Sequence, residues 1–129
     1  MAKFGTKSLS NLNTCDQQLI DLFTQVVQGF DCSVLEGHRT QERQDMLFDM
    51  GQSKVRCPNG KHNSTPSQAV DVVPYPIDWH NRERFILFGG YVQGIASQMG
   101  IGIRWGGDWD RDHDTKETTF FDAPHFELL

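Results

Sequence analysis

A short apolar run interrupted by one carboxylate is the feature that most constrains the fold of this chain. Residues 69–75 read Ala-Val-Asp-Val-Val-Pro-Tyr, a pattern typical of a mostly buried β-strand. Asp71 lies inside that run, and a carboxylate removed from water must be paired with a cation or bound to a metal, since desolvating it alone is costly. The residues alone leave two interpretations open: Asp71 is a metal ligand, or it forms a cap or an ion pair at a strand end.

The composition indicates one globular domain. A length of 129 residues is usual for a single domain, and 37% hydrophobic with 22% charged residues argue against disorder. The net charge of −5 and the lack of a basic stripe argue against a nucleic-acid partner. We expect no stable membrane association and no Sec signal peptide, because the apolar stretches that these would need are missing from the sequence. Cys15, Cys32 and Cys57 form no CxxC pair, which favours reduced structural thiols.

The spacing of apolar residues predicts an α+β fold, with a small antiparallel sheet packed against about three helices in a single domain over residues 1–129. Asp16 and Thr40 are suited to cap the first two helices, and Gly29 and Gly51 to end them. Irregular structure is predicted for residues 4–14, 52–67 and 106–118. The predicted helices are 17–28, 41–50 and 81–99, and the predicted strands are 32–36, 69–75, 101–105 and 120–128.

The same pattern gives expectations about packing. The second helix should turn three residues to the core: Met46, Leu47 and Met50. The third should bury Phe85, Ile86, Phe88, Val92, Ile95 and Met99. Its Gly89-Gly90 pair either weakens the helix or marks close packing. Pro124 lies inside the last predicted strand, which suggests an edge strand or a bulge.

Two segments offer the ligand atoms that zinc prefers, which are imidazole nitrogen, thiolate sulfur and carboxylate oxygen. The first places His62 in the loop before Asp71, and the second reads Asp122-Ala-Pro-His-Phe-Glu. His125 and Glu127 alternate and so share one face of the last strand. On the residues alone, His62 is also consistent with a solvated loop histidine and His125 with a hydrogen-bonded core histidine. The sequence contains no HExxH motif, which excludes a thermolysin-like site.

A set of spaced motifs runs from residue 37 to residue 127. It comprises Gly37-His38-Arg39-Thr40, Gln44, Gly51, Ser53, His62, Ala69-Val70-Asp71 and the segment from Asp122 to Glu127. This pattern resembles the LAS zinc peptidases, a family that includes D-alanyl-D-alanine carboxypeptidases and phage L-alanyl-D-glutamate endopeptidases. The likeness is closest to the short endolysins of tailed phages, and it covers nearly the whole chain.

The resemblance implies one Zn²⁺ per chain, with His62, Asp71 and His125 as its ligands. It also implies that Asp122 is the carboxylate that transfers protons, and that Arg39 orients the substrate or polarises its carbonyl group. A carboxylate suits such proton transfer when partial burial raises its pKa.

Four further residues are candidates for supporting the ligands or contacting substrate. Glu127 matches a position beside the ligands in the family, and Gln44 belongs to the shared pattern. Trp109 is the tryptophan best suited to stack on a sugar ring. His113 could border the groove, although a solvated histidine is its ordinary interpretation.

Two departures from the family pattern bear on His62. The usual serine two residues before the first histidine is Gly60 here, which removes a hydroxyl group near the site. Asp71 follows His62 by nine positions, whereas an interval of seven is common in the family. The two extra residues are expected to bulge outward without moving the ligands.

The implied function is that of an endolysin, a peptidoglycan-degrading zinc metallopeptidase that cleaves the L-alanyl-D-glutamate bond of the stem peptide during host cell lysis. Such a protein is expected to be a monomer that is made in the host cytoplasm and acts on the wall after release. Two alternatives remain open at this stage: a D-alanyl-D-alanine carboxypeptidase or dipeptidase of the same fold, and a non-catalytic wall-binding module.

The acidic loop, residues 108–114, reads Asp-Trp-Asp-Arg-Asp-His-Asp. Its alternating carboxylates resemble the first part of a calcium loop, but the glycine and the late bidentate glutamate of an EF-hand are missing. The hypothesis of a Ca²⁺ ion at Asp108–Asp114 therefore stands beside the simpler one of a solvated loop.

Overall fold

The computed structural model describes residues 2–53, 60–116 and 120–129, so Cys57 lies outside the described residues. They form four helices, four strands and one 3-10 turn, which confirms the predicted α+β class. The helices are α1 (Thr6–Leu12), α2 (Gln17–Gly29), α3 (Gln41–Asp49) and α4 (Arg82–Met99); the strands are β1 (Cys32–Glu36), β2 (Ala69–Pro74), β3 (Ile103–Trp105) and β4 (His125–Leu128); the turn is Lys61–Asn63. Among the described residues, no helix is long and apolar enough to cross a membrane.

The four strands form one antiparallel sheet in the order β1-β2-β4-β3. Asp71 of β2 lies directly opposite His125 of β4. The expected strand at 120–128 begins only at His125, and the idea that Pro124 marks an edge strand is wrong, because β4 lies between two neighbours. Pro124 precedes the strand, so its missing N–H costs no ladder bond, and its carbonyl accepts the N–H of Val72 at 2.9 Å.

The core lies on the face of the sheet that packs against α2 and α4. Phe126 of β4 contacts Phe23 of α2 and Phe88 of α4, with ring centroids 5.4 and 6.0 Å apart. Side chains alternate along a strand, so Phe126 and Leu128 point to this core while His125 and Glu127 point to the opposite face. Gly89 of α4 marks close packing, because a Cβ there would collide with the indole of Trp105.

The first helix contradicts the expectation that residues 4–14 are irregular. Helix α1 has no side-chain cap and only seven residues, which is too short for local preference to predict. It is held by β1 instead. Ser8 accepts the N–H of Val34 at 3.0 Å, and the Asn11 amide donates to the carbonyls of Val34 and Leu35. The described residues therefore form four helices rather than about three.

Helix α3 also differs from expectation. Thr40 caps it as predicted, by accepting the N–H of Arg43, but Met46 and Met50 are exposed and Leu47 is half-buried. Gln44 is the buried residue of α3, because this helix covers a polar cleft instead of the apolar core. Met99 is likewise exposed, since it lies in the last turn of α4 before Gly100 ends the helix in a left-handed conformation.

Two buried thiols lie on the core side of the molecule. Cys15 and Cys32 are both free. Burial raises the pKa of Cys15 to about 11 and that of Cys32 to about 12. Both thiols therefore stay protonated at neutral pH and behave as small apolar side chains.

Candidate metal centre and catalytic cleft

A cleft of about 770 Å³ opens on the face of the sheet opposite the core. Helix α3, the turn at Lys61–Asn63, strands β2 and β4, and the segments around Trp109 and Asp122 all contribute to its walls. Most of the sequence-predicted site residues meet here: Arg39, Gln44, His62, Asp71, Trp109, Asp122, His125 and Glu127. His113 is not among the described lining residues; it lies exposed on the acidic loop, at a φ of 66°.

Three of these residues form the triad, which is His62, Asp71 and His125. Nε2 of His62 lies 3.3 Å from Nδ1 of His125 and 3.3 Å from Oδ1 of Asp71. Nδ1 of His125 lies 3.5 Å from the same carboxylate oxygen. Zinc with tetrahedral bonds of about 2.0–2.1 Å holds its ligand atoms about 3.3–3.4 Å apart, so the triangle has the size that a zinc ion requires.

The hydrogen bonds around the triad leave three lone pairs directed at one point. Nδ1 of His62 donates to the Gly37 carbonyl at 2.7 Å, and Nε2 of His125 donates to Glu127 at 2.8 Å. The opposite ring nitrogens are then acceptors. Oδ1 of Asp71 is buried and has no hydrogen-bond donor. Three acceptors at this distance repel one another unless a cation lies between them, so the donor set fits a metal ion.

The pKa shifts of Asp71 and His125 show that the triad favours a positive charge. Burial alone would raise the pKa of Asp71, but the imidazoles of His125 and His62 outweigh it and hold that pKa well below its usual range. Burial alone would lower the pKa of His125, but the carboxylates of Asp71 and Glu127 raise it to about 9. In the metal-free protein the triad therefore keeps a proton at neutral pH, and this proton takes the place of the metal cation among the three acceptors.

His62 is positioned by the segment that follows β1. The N–H of Arg39 donates to the His62 carbonyl at 2.7 Å, while the Gly37 carbonyl fixes the ring. Position 37 must be glycine, because a Cβ would collide with the Thr14 hydroxyl and the Asn11 carbonyl. Gly37 and the backbone N–H of Arg39 therefore position His62, a contribution that sequence reasoning did not foresee.

His125 is oriented by Glu127, two residues along the same strand face. The pKa of Glu127 is lowered despite burial, chiefly by its hydrogen bond with His125. Lys61 and Arg104 each approach the other carboxylate oxygen of Glu127 at 3.5 Å. Glu127 is thus held as a carboxylate that fixes the tautomer of the His125 ring, as carboxylates commonly do for histidines that bind metals.

Asp71 is held from its other side by Arg39. Nη2 of Arg39 donates to Oδ2 of Asp71 at 3.2 Å, and the same guanidinium donates to Glu36 at 2.8 and 3.0 Å and to Gln44 at 2.9 Å. These four hydrogen bonds leave one of its five N–H groups for a ligand. Glu36 is a member of this network that the sequence did not single out, since its contacts depend on how the chain turns between β1 and α3.

Asp122 lies in the cleft wall, three residues before His125. Its N–H donates to the Gly106 carbonyl at 2.9 Å, and its carbonyl accepts the N–H of His125 at 3.1 Å. A Cβ at Gly106 would collide with the Asp122 carbonyl, so the close approach requires glycine. Burial raises the pKa of Asp122, and the negative charge of Asp71 raises it further.

Aromatic side chains form the apolar part of the cleft wall. The Trp109 ring lies 5.3 Å from the His125 ring and stacks on Phe120 at 6.4 Å, and its Nε1 donates to the Phe120 carbonyl. Trp105, by contrast, packs in the core. Trp109 is thereby fixed beside the triad, and its indole faces the cleft.

The two departures from the family pattern have structural explanations. A Cβ at Gly60 would crowd the side chains of Asn63 and Gln44, which occupy the space of the usual serine. In the longer interval after His62, Thr65 and Pro66 are exposed, whereas Ser67 is buried and bonded to the backbone of Thr14 and Asp16. The insertion bulges only in part, and it ends in a fixed position before Asp71.

The acidic loop holds a second group of carboxylates. Oxygens of Asp108, Asp110 and Asp112 lie within 4.8 Å of one another. Asp108 is buried, but its two oxygens accept the N–H groups of Asp112 and His113 at 3.2 and 2.8 Å. The loop carboxylates therefore already bind the loop backbone.

Comparisons with known proteins identify the family of this chain. A family model described as phage L-alanyl-D-glutamate peptidase matches residues 1–129. The L-alanyl-D-glutamate peptidase of Escherichia phage T5 is 27% identical over 135 residues, covering 98% of each chain. The crystal structure of the Serratia marcescens L-Ala D-Glu endopeptidase ChiX is 26% identical and superposes with a TM-score of 0.78, over 98% of this chain and 90% of that one. The chain belongs to the phage L-alanyl-D-glutamate peptidase family.

Proposed function

We propose that residues 1–129 act as one catalytic domain, a zinc-dependent peptidase that hydrolyses the L-alanyl-D-glutamate bond of peptidoglycan stem peptides. The observation that carries the proposal is the triad, in which a buried carboxylate oxygen without a donor faces two imidazole acceptors. The identity of the cleaved bond is inferred from the family. Both relatives named above are described as peptidases of the L-alanyl-D-glutamate linkage.

Zinc is the metal that the donor set supports best. Two imidazole nitrogens and one carboxylate oxygen are common zinc ligands, and three protein ligands leave a fourth position for water or substrate. When bound, zinc lowers the pKa of a water molecule towards ~7 and polarises a carbonyl group.

Asp122 is the group in this cleft suited to accept and return a proton. Burial and Asp71 raise its pKa towards the range in which a carboxylate can act as both base and acid. Asp122 takes a proton from the attacking water and later delivers it to the nitrogen of the leaving D-glutamyl residue. The amide bond is thereby replaced by one carboxylate and one amine.

Arg39 and Glu127 act by positioning the ligands. Arg39 fixes one oxygen of Asp71 so that the other stays directed at the metal position. Glu127 holds the tautomer of His125 that keeps Nδ1 free for the metal. The remaining N–H of Arg39 is available to the substrate carbonyl.

The family suggests a biological setting. We propose that the protein is a monomeric endolysin, made in the cytoplasm of the infected host and active on the cell wall after release. Its partner is the peptidoglycan stem peptide, bound in the cleft between α3 and the aromatic wall of Trp109 and Phe120.

Product analysis on purified muropeptides tests the proposed activity. The zinc-loaded protein should generate a new D-glutamate amino terminus and no free D-alanine. Release of D-alanine would instead identify a carboxypeptidase, and retention on the wall without any product would identify a binding module. Asp122→Asn is the matched control, since it should bind zinc and yield no product.

A further inference from the structure

The cationic side chains of the cleft differ in how many of their donors are already used. Among the described lining residues the cations are Arg39, Arg43 and Lys61. Arg39 is buried and donates four hydrogen bonds. Lys61 donates to the Leu128 carbonyl and lies beside Glu127. Neither is well placed to neutralise a charged ligand.

Arg43 differs from Arg39 and Lys61 because most of its donors are still available. Its Nε donates to Oε2 of Glu36, and its two terminal nitrogens have no partner among the described residues. The side chain is 50% exposed, whereas that of Arg39 is 9% exposed. A guanidinium that is anchored through Nε and open at both terminal nitrogens presents the donor pair that a carboxylate accepts.

The anchor also fixes where Arg43 points. Glu36 lies at the end of β1 and binds Arg39 through Oε1 and Arg43 through Oε2. The N–H of Arg43 is fixed by the Thr40 hydroxyl in the cap of α3. Strand and helix together hold the free end of the guanidinium in the cleft wall, so little conformational entropy remains to be lost when a ligand binds.

We propose that Arg43 is a specificity residue that binds the free carboxylate of the D-glutamyl residue of the substrate, an inference that rests on the proposed function. Glutamate has two carboxyl groups, and continuation of the peptide uses one of them, so the other is free unless it is amidated. The other ionisable groups in the described cleft include four carboxylates, at Glu36, Asp71, Asp122 and Glu127. Glu36 occupies only Nε of Arg43, so the two terminal nitrogens of this guanidinium are the donors that remain for a free substrate carboxylate.

Amidation of this carboxylate supplies the test. A matched pair of muropeptides, one with free D-glutamate and one with D-isoglutamine, is compared by kcat/KM. The wild type should prefer the free acid by roughly 10- to 100-fold, since hydrogen bonds between charged groups are the strong ones. Arg43→Met should bring the ratio close to one by slowing cleavage of the acid alone, and Arg43→Lys should keep part of the preference.

Lys61→Gln is the matched control, because it removes the other partly exposed cation of the described cleft wall. The acid-to-amide ratio should persist in this variant, whatever happens to the rate. A wild type that cleaves neither muropeptide would refute the proposed function. A wild type that cleaves both equally, a preference that survives in Arg43→Met, or one lost in Lys61→Gln would each refute the role of Arg43 while leaving the proposed function intact. Should Arg43→Met fail to fold, the wild-type ratio and Arg43→Lys still decide the question.

Discussion

The triad and the acidic loop both gather side chains that could hold a cation, yet they are built differently. The triad lies on two adjacent strands and the turn before them, with its ring orientations fixed by the Gly37 carbonyl and by Glu127. In the acidic loop the carboxylates accept backbone N–H groups of the loop itself, and Asp110 and Asp112 are exposed. The number of carboxylates alone would not distinguish the triad from the acidic loop as a metal site.

The comparison teaches that unsatisfied acceptors indicate a metal site better than acidic composition does. The triad contains a buried oxygen with no donor, a costly arrangement that a cation would compensate. The loop carboxylates are already compensated by hydrogen bonds and by water. We therefore expect substitutions in the two regions to have effects of very different size.

The largest effect is expected from removing a triad ligand. His125→Ala should lower the rate of muropeptide cleavage by more than about 1000-fold, because the Lewis acid it helps to hold supplies several kcal/mol of transition-state stabilisation. The matched substitution in the loop, Asp110→Asn, should leave the rate within about threefold of the wild type. Similar losses in both variants would remove the distinction between the regions.

The variant Asp122→Asn tests proton transfer separately from metal binding. It should reduce kcat by about 10²- to 10⁴-fold, the usual contribution of a general acid and base, with unchanged zinc content. In the wild type, kcat/KM should fall as the pH drops through the raised pKa of Asp122, since the base must be ionised. Single-turnover assays across pH check both points, and an active zinc-loaded variant would exclude Asp122 from proton transfer.

The metal-free protein should lose stability as the pH rises. The pKa of His125 is about 9 in the fold and about 6.5 in the unfolded chain, so its protonation stabilises the fold below pH 6.5 and that contribution is lost on the way to pH 9. Urea unfolding with a chelator should show a decrease of about 2 kcal/mol between pH 6.5 and 8.5. The zinc-loaded protein should show no such decrease, because metal binding is favoured by deprotonated ligands. A flat profile without metal would mean that the triad holds no proton.

Glu127→Gln should have a smaller effect than loss of a ligand. The glutamine side chain can still accept the hydrogen bond from Nε2 of His125, but it lacks the negative charge that fixes the tautomer of this ring. Zinc affinity should therefore fall by about 10- to 100-fold. Competition with a chromogenic chelator measures the change. Lys61→Gln, which removes a cation 3.5 Å from the same carboxylate, should change the affinity much less.

The smallest effect concerns calcium at the acidic loop, which remains a prediction from the sequence. Asp108, Asp110 and Asp112 bring carboxylate oxygens within 4.8 Å, but Asp108 already accepts two backbone N–H groups. Calorimetric titration of zinc-loaded protein should therefore show only weak binding, on the order of millimolar. No heat at that concentration, or unchanged heat in Asp110→Asn, would end the calcium hypothesis.

The sequence predicted the parts of the site that depend on strand alternation. Asp71 interrupts an apolar run, and His125 and Glu127 are two residues apart, so their faces follow from the pleat alone. The pairing of Asp71 with His125 could not be predicted, because the register depends on how β4 inserts between β2 and β3.

Other features depend on contacts between distant segments and were missed for that reason. Helix α1 is stabilised by β1 rather than by its own sequence. Helix α3 has the apolar spacing of a core helix, but it covers the cleft and leaves Met46 exposed. The sharing of Glu36 between Arg39 and Arg43 is local in the chain, but it depends on the turn that joins β1 to α3, which no periodic pattern predicts.

The most direct test of the account is the zinc content of three purified proteins, measured without chelators. The wild type and Asp110→Asn should each hold one zinc per chain, and His125→Ala should hold none. Zinc retained in His125→Ala, or lost in Asp110→Asn alone, would contradict the claim that the triad is the metal centre of this peptidase.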